Sequence, residues 1–492
     1  MDRRAVQYFL GIDVGTTGIK ALVVSDAGEV VGRYAVPLKM QIPRPAWAEQ
    51  DPETWKNGVI DILRKVAGDF CIGAIGFSGQ MHSLVTLDGK DDIIRPAILW
   101  CDQRTTKQCL EATEILGGER EVIRIIGNPI LEGFTLPKIL WIRDEEPDHY
   151  SRIRKIVLPK DYIVYSLTGS FGTEPSDASG TACYDVTRKE WAIKMLERVG
   201  VSSNILPTEF SSSDRRGALH PKLSEELGWN EVPVVSGGAD NASAALGVSM
   251  TKNGDAMVSL GTSGTVVVLT ESKQPDEQGK IHYFRHVLPE LSYYMGVMLS
   301  AANSINWMRN QFFADHSWQE IEKIIATTPA GSNGVIFLPY LQGERTPHRD
   351  PHARGVFFGI SSANDRNDLL RSVFEGITFG LRESFELIKA KTTISSMRVV
   401  GGGAKNSTWS QMIADNFMMP VQIPAIDEGG AFGAAMLAAI GSGIPLAEVS
   451  SWVTVESCID PSPDTAQVYE RVFEQYKSLY WDLKQRFKEA AP

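Results

Sequence analysis

Two short stretches carry residue types suited to phosphate chemistry. GIDVGTTGIK (11–20) and VSLGTSGT (258–265) share a turn of glycines and hydroxyls, but the first has Asp13 where the second has Ser259. Glycines let successive backbone N–H groups converge on an anion, and Thr16, Thr17, Thr262 and Ser263 add hydroxyl donors. Either turn alone reads equally well as an ordinary hairpin. Two of them at matching places favour a phosphate clamp with one loop from each side. Neither is a Walker A loop, since GxxxxGK[ST] occurs nowhere. A second carboxylate, Asp240, follows an apolar run in VVSGGADNASAAL (234–246). Alone it reads as a helix N-cap. Placed where the two halves of the chain join, it can face a cleft and take a proton from a hydroxyl attacking phosphorus.

Other polar groups are weaker signals. SGQMHS (78–83) ends an apolar strand and puts Gln80 and His82 within reach of a polyol, although a lone histidine is more often structural. MRVVGGGAKNSTWSQMIAD (397–415) reads as strand, glycine triplet and helix, without the GxGxxG spacing of a dinucleotide site. It is expected to be a surface where backbone approaches an adenosine. DEGGAFGAAMLA (427–438) has small residues at helical spacing and reads as close packing. His282/His286 and His348/His352 have helical spacing outside any HExxH, so no histidine metal site is expected. Lys20 and Lys405 read as solvated.

The elements that must position these groups follow from hydrophobic pattern. YFLGIDV, GIKALVVS and EVVGRYAVPLK form a three-strand meander. DPETWKNGVIDILRKV then makes a helix capped by Asp51, with Pro52 at its first position and a stripe of Trp55, Val59, Ile62 and Val66. CIGAIGFS is the next strand, and this order suggests a ribonuclease H-like unit. Gly15 and Gly261 lie 246 residues apart, half of the 492-residue chain. DAMVSLGTSGTVVVLTE, YYMGVMLS, GVIFLPYL and MRVVGGG supply strands of a second unit, with helices from about Asn367 and Trp409. The expected fold class is α/β, with two ribonuclease H-like domains around a central cleft, 1–246 and 247–492, and a final helix free to pack back on the first. Residues 150 to 232 fit neither unit and read as insertions.

Composition bounds the function. A chain this long requires more than one domain, and its 43% apolar and 22% charged residues are those of an ordinary globular protein. A net charge of −11, without a basic block, argues against nucleic acid as a partner. The five cysteines follow no CxxC spacing, which favours a reducing, cytoplasmic compartment over a disulfide framework. MDRRAVQYFLGIDVG is too short and too interrupted for a signal peptide. No run reaches the length of a membrane span, and AAMLAAIGSGIP near residue 440 reads as a buried helix.

With those residues in view, the chain resembles the FGGY carbohydrate kinases, of the actin-like ATPase fold, over essentially its whole length. GFTLPKILWIRDE (133–145) and GVFFGISSANDRNDLLRSVFEG (355–376) are similar to that family's two signatures. GQMHS, AILWCDQR, LPKDY, SDASGT, GGADN, SLGTSG and LQGERTPH together resemble its ketose-phosphorylating members. The resemblance implies phosphorylation of D-xylulose by ATP with Mg²⁺, with D-ribulose or L-xylulose as alternative sugars and a homodimer left open. It implies Asp240 as general base, Asn241, Gln80, Met81 and His82 at the sugar, and Asp102 and Arg104 near it. It further implies Asp13 with Asp240 at Mg²⁺, largely through water. Gly15, Thr16, Thr17, Gly261, Thr262 and Ser263 would hold ATP phosphates, and Gly402, Gly403 and Asn406 would border adenosine. Glycerol kinases carry an Arg-Glu pair at Met81–His82, so glycerol is disfavoured. Departures from the family pattern are Ser83, Cys101 and Ala239. An actin- or Hsp70-like ATPase is a remoter alternative that lacks a peptide-binding domain here, and a nicotinamide-dependent oxidoreductase fails on glycine spacing.

Overall fold

A computed structural model describes residues 7–490; residues 1–6, the start of the stretch weighed as a leader, lie outside the described residues. The meander forms as its pattern requires: β1 (Tyr8–Val14), β2 (Gly18–Ser25) and β3 (Val30–Pro37) are antiparallel neighbours. Helix α1 (Pro52–Ala67) starts at Asp51, whose side chain accepts from Glu53 N at 3.0 Å. Trp55, Val59, Ile62 and Val66 are all buried on one face. β4 (Ile72–Gly79) returns parallel to β1, and β5 (Pro233–Val235) lies beyond it, giving the order β3-β2-β1-β4-β5. Between β4 and β5 the chain inserts helices, including α2 (Thr135–Glu145) and α3 (Pro159–Thr168), and the edge strand Arg215–Ala218. Helix α4 (Asp240–Gly247) follows β5.

The second half repeats the plan. β6 (Asp255–Leu260), β7 (Gly264–Thr270) and β8 (Ser292–Met298) are antiparallel neighbours, and after the long helix α5 (Arg366–Lys389) strand β9 (Ser396–Val400) pairs parallel to β6. Helix α6 (Ser407–Phe417), β10 (Val421–Pro424) and helix α7 (Gly429–Gly441) complete the order β8-β7-β6-β9-β10. The register puts Asp13 and Ser259 at corresponding places in two hairpins whose loops differ by one residue. Asp13 pairs with Lys20 one step before the last pair, Val14 with Ile19, which leaves residues 15–18 as the loop; Ser259 pairs with Thr265 one step before the last pair, Leu260 with Gly264, which leaves 261–263. GVIFLPYL departs from the expectation of a sheet strand: Ile336–Leu338 pairs only with Val356–Phe358, in a separate ribbon under α5.

The small-residue run in α7 explains how the halves are joined. α7 belongs to the second half in sequence but packs on β1, β4 and α4 of the first. A Cβ on Gly76 would lie 2.0 Å from Ala434 O, and one on Gly433 would lie 1.8 Å from Ser243 O, so backbone meets backbone at both contacts. The final helix, α8 (Pro463–Glu489), packs on α5, α6 and Ile336–Leu338 of its own half. The element that reaches back to the first domain is therefore α7, not the final helix. α4, α7 and one face of the second sheet share a continuous apolar cluster that includes Leu246, Ala435, Val267 and Tyr293. Among the described residues no helix is long and apolar enough to cross a membrane.

Candidate active site

The two predicted carboxylates meet at the junction of the halves. β1 carries Asp13 next to Ser78 of β4, and the short strand Gly238–Ala239, paired to the end of β4, delivers Asp240 as the first residue of α4. Ala239, not Asp240, takes the cap position, so the N-cap alternative is not what this residue does. Its Oδ1 instead accepts from Asn241 N (2.6 Å) and Asn241 Nδ2 (2.8 Å). Burial, and then the neighbouring Asp13, push the Asp240 carboxyl up to about 7. Asp13 is also raised by burial, only partly offset by the neighbouring Ser78 hydroxyl and Lys20, and its Oδ1 is buried without a hydrogen-bond partner. Two half-buried carboxylates close enough for one to raise the other, one with an orphaned oxygen, suit a cation or a transferred proton.

Each half carries one small-residue loop, the first of them two residues after Asp13. The N–H groups of Gly15 and Gly261 close their own hairpins, onto Gly18 O (3.0 Å) and Ser263 O (3.1 Å). These glycines shape the loops and do not donate to a ligand, which corrects the expectation for their amides. The N–H groups of Thr16, Thr17, Thr262 and Ser263 make no hydrogen bond among the described residues. The side chains of Thr17, Thr262 and Ser263 are likewise free, and all three residues are exposed. Thr16 differs. Its hydroxyl donates to Gln80 Oε1 (3.2 Å) and accepts from Trp100 Nε1 (2.9 Å), while Gln50 Nε2 holds its carbonyl at 2.7 Å. Thr16 therefore offers a ligand its amide, not its hydroxyl. Gln80, buried under that network, accepts from Ser83 Oγ (3.1 Å) and turns its Nε2 toward Gln50 Oε1 (3.5 Å), so it supports the loop from within the protein.

On the other side of Asp240, Met81 is buried with its Sδ 4.0 Å from Tyr293 Oη of the second sheet. His82 has φ +69°, an unusual conformation for a non-glycine residue. Its ring stacks on Phe134 at 4.7 Å, and its Nδ1 lies 2.6 Å from Gly180 O. A carbonyl can only accept, so Nδ1 carries the proton. Burial lowers the imidazole to about 3, which leaves it neutral with Nε2 as an acceptor. Asp102 does not join this site. It is fully buried, accepting Ala48 N (2.6 Å) and clasping the Arg104 guanidinium (2.7 Å), which stacks on Trp47 at 3.7 Å. Its role is to hold the 100–104 loop. Trp100, Phe134 and Tyr293, single aromatics within longer runs, gave no signal of their own in the sequence.

At the end of β9, Gly402–Lys405 form one short turn next to β6. A Cβ on Gly402 would meet nothing within 4 Å, so no contact within the protein calls for glycine there. Gly403 is a packing glycine, with a hypothetical Cβ 2.4 Å from Trp409. Asn406 caps α6 through Trp409 N (2.9 Å), leaving only its Nδ2 for a ligand. Of the three residues expected at adenosine, Gly402 is the open one.

Paired ribonuclease H-like sheets with one small-residue loop from each half, closing on a carboxylate pair, define the actin-like ATPase class. Comparison with known proteins narrows the class. Models of the FGGY family of carbohydrate kinases match both halves, the N-terminal domain over residues 8–247 and the C-terminal domain over 256–442. The chain belongs to that family and is an ATP-dependent carbohydrate kinase. It is 38% identical to the xylulose kinase of Staphylococcus xylosus over 481 residues, 96% of this chain and 99% of that one. The crystal structure of ligand-bound xylulose kinase from Lactobacillus acidophilus superposes with a TM-score of 0.94 at 26% identity, covering 99% of this chain and 100% of that one. A gluconate kinase structure from the same organism gives the same TM-score, identity and coverage, so likeness of fold at that level does not choose the sugar.

Proposed function

We propose that this kinase transfers the γ-phosphoryl group of ATP to the terminal hydroxyl of D-xylulose, forming D-xylulose 5-phosphate and ADP. The observation that carries the chemistry is Asp240, a carboxyl at about 7 beside Asp13 at the start of the helix that packs on α7. The sugar rests on end-to-end identity to xylulose kinases. Asp240 takes the proton of the 5-hydroxyl as it attacks phosphorus, and a base poised near the working pH suits that task. Asn241 fixes Oδ1 of the base, leaving Oδ2, which makes no hydrogen bond among the described residues, to meet the hydroxyl. His82 Nε2 accepts from a sugar hydroxyl, and Met81 forms the apolar floor. The free amides of residues 16, 17, 262 and 263 hold phosphate oxygens from both sides, and adenosine lies over Gly402.

Asp13 and Asp240 would hold Mg²⁺, with water completing its coordination; the orphaned Asp13 Oδ1 fits that need. The ion would neutralise phosphate charge when bound. Closure of the halves around the site excludes water and so limits ATP hydrolysis. All five cysteines are unpaired, as the reducing cytoplasm of this reading requires. A coupled ADP-release assay over D-xylulose, D-ribulose, L-xylulose, gluconate and glycerol tests the sugar. D-xylulose is expected to give the highest kcat/KM, and finding it among the poorest would overturn the choice.

A further inference from the structure

Lys138 is buried without a carboxylate within ion-pair distance among the described residues, yet its ammonium is fully satisfied. Nζ donates to three successive carbonyls, those of Glu132 (2.8 Å), Gly133 (2.6 Å) and Phe134 (2.7 Å). Lys138 sits in the first turn of α2, where the helix dipole disfavours a cation. Burial lowers it to about 7, so the charge is kept there at a cost. Asp102, the acid that most favours its charge, is already engaged by Arg104. Neither helix formation nor ion pairing accounts for this residue.

The turn it gathers leads straight to His82. Phe134, the last of the three residues whose carbonyls accept from Lys138, stacks on the His82 ring. Thr135, the next residue, donates its hydroxyl to His82 O at 2.9 Å. Both contacts hold His82 in its positive-φ conformation, which the backbone of a non-glycine residue does not favour unaided. Phe134 also lies 5.9 Å from His282 and 6.1 Å from Phe284, so the same turn is braced by the second half of the chain.

We infer that Lys138 is a positioning residue for the sugar site: by tying the carbonyls of residues 132–134 together it sets Phe134 and Thr135, which in turn aim His82 at the substrate. This rests on the reading of His82 as a sugar ligand. The test is steady-state kinetics of the full-length enzyme with D-xylulose and ATP for Lys138→Met, His82→Ala and the double variant. Lys138→Met is expected to raise the sugar KM about tenfold, as loss of a set of charged hydrogen bonds would, while the ATP KM stays within about twofold. In the double variant the sugar KM should match that of His82→Ala alone, because Lys138 acts through that ring. Effects that multiply would overturn the inference, as would an unchanged sugar KM in Lys138→Met beside a raised one in His82→Ala. An unchanged sugar KM in His82→Ala would instead overturn the site reading. If Lys138→Met does not fold, Thr135→Val decides: it removes one hydroxyl, and a selective rise in sugar KM supports the relay while none overturns it.

Discussion

Asp240→Asn should make the protein more stable in a way that depends on pH. The folded carboxyl ionises at about 7, against an ordinary value of 3.8 in the unfolded chain. Between those values the folded state holds a proton that the unfolded state has lost. Stability of the unsubstituted protein must then fall as pH rises from about 4 to about 7. A displacement of about three units corresponds to a ceiling of roughly 4 kcal/mol, and the access of Asp240 to the cleft reduces this to about 1–3 kcal/mol. Asparagine mimics the protonated acid and does not titrate. The two proteins should melt together only at or below about pH 4, with the variant pulling ahead as pH rises and the difference levelling off above about pH 7. The assay is scanning calorimetry from pH 4 to 8.5 without ATP and with chelator, since a divalent cation would stabilise the ionised pair. A difference that is flat with pH, or that favours the unsubstituted protein as pH rises, would refute the reasoning.

Three further outcomes are expected. Asp13→Ala should raise the Mg²⁺ concentration needed for half-maximal rate at least about tenfold, and Ser259→Ala, at the equivalent register, should not; titrations that coincide would count against the asymmetry. Gly402→Val should raise the ATP KM and leave the melting temperature unchanged, because the added side chain meets only open space; a destabilised protein with normal ATP KM would contradict it. Asp102→Asn should cost about 3 kcal/mol of stability by leaving Arg104 poorly compensated, with sugar KM within about threefold in the folded protein. A selective sugar KM defect at full stability would return Asp102 to the sugar site.

Much of the fold was legible because its signals are local. The Asp51–Pro52 helix start, the alternating meander and the glycine hairpins each sit within a few residues, and the matched register of Asp13 and Ser259 follows from them. The direction in which a polar side chain points was not legible, because it is decided by partners far along the chain. Gln80 turns to Thr16, 64 residues away, and Asp102 to the backbone of Ala48, 54 residues away. Asn406 shows a nearer competitor, the orphan N–H of its own helix. The small-residue run of α7 announced close packing but not which half it would pack against, since both surfaces that meet there are bare backbone.

The central claim is that Asp240 is the base for phosphoryl transfer to the sugar. The most direct measurement is the rate of D-xylulose 5-phosphate formation by Asp240→Asn at saturating ATP, Mg²⁺ and D-xylulose, beside a thermal melt that shows the variant folded. The account predicts a rate about 10²- to 10⁴-fold below that of the unsubstituted enzyme. Turnover within about threefold, from folded protein, would contradict it.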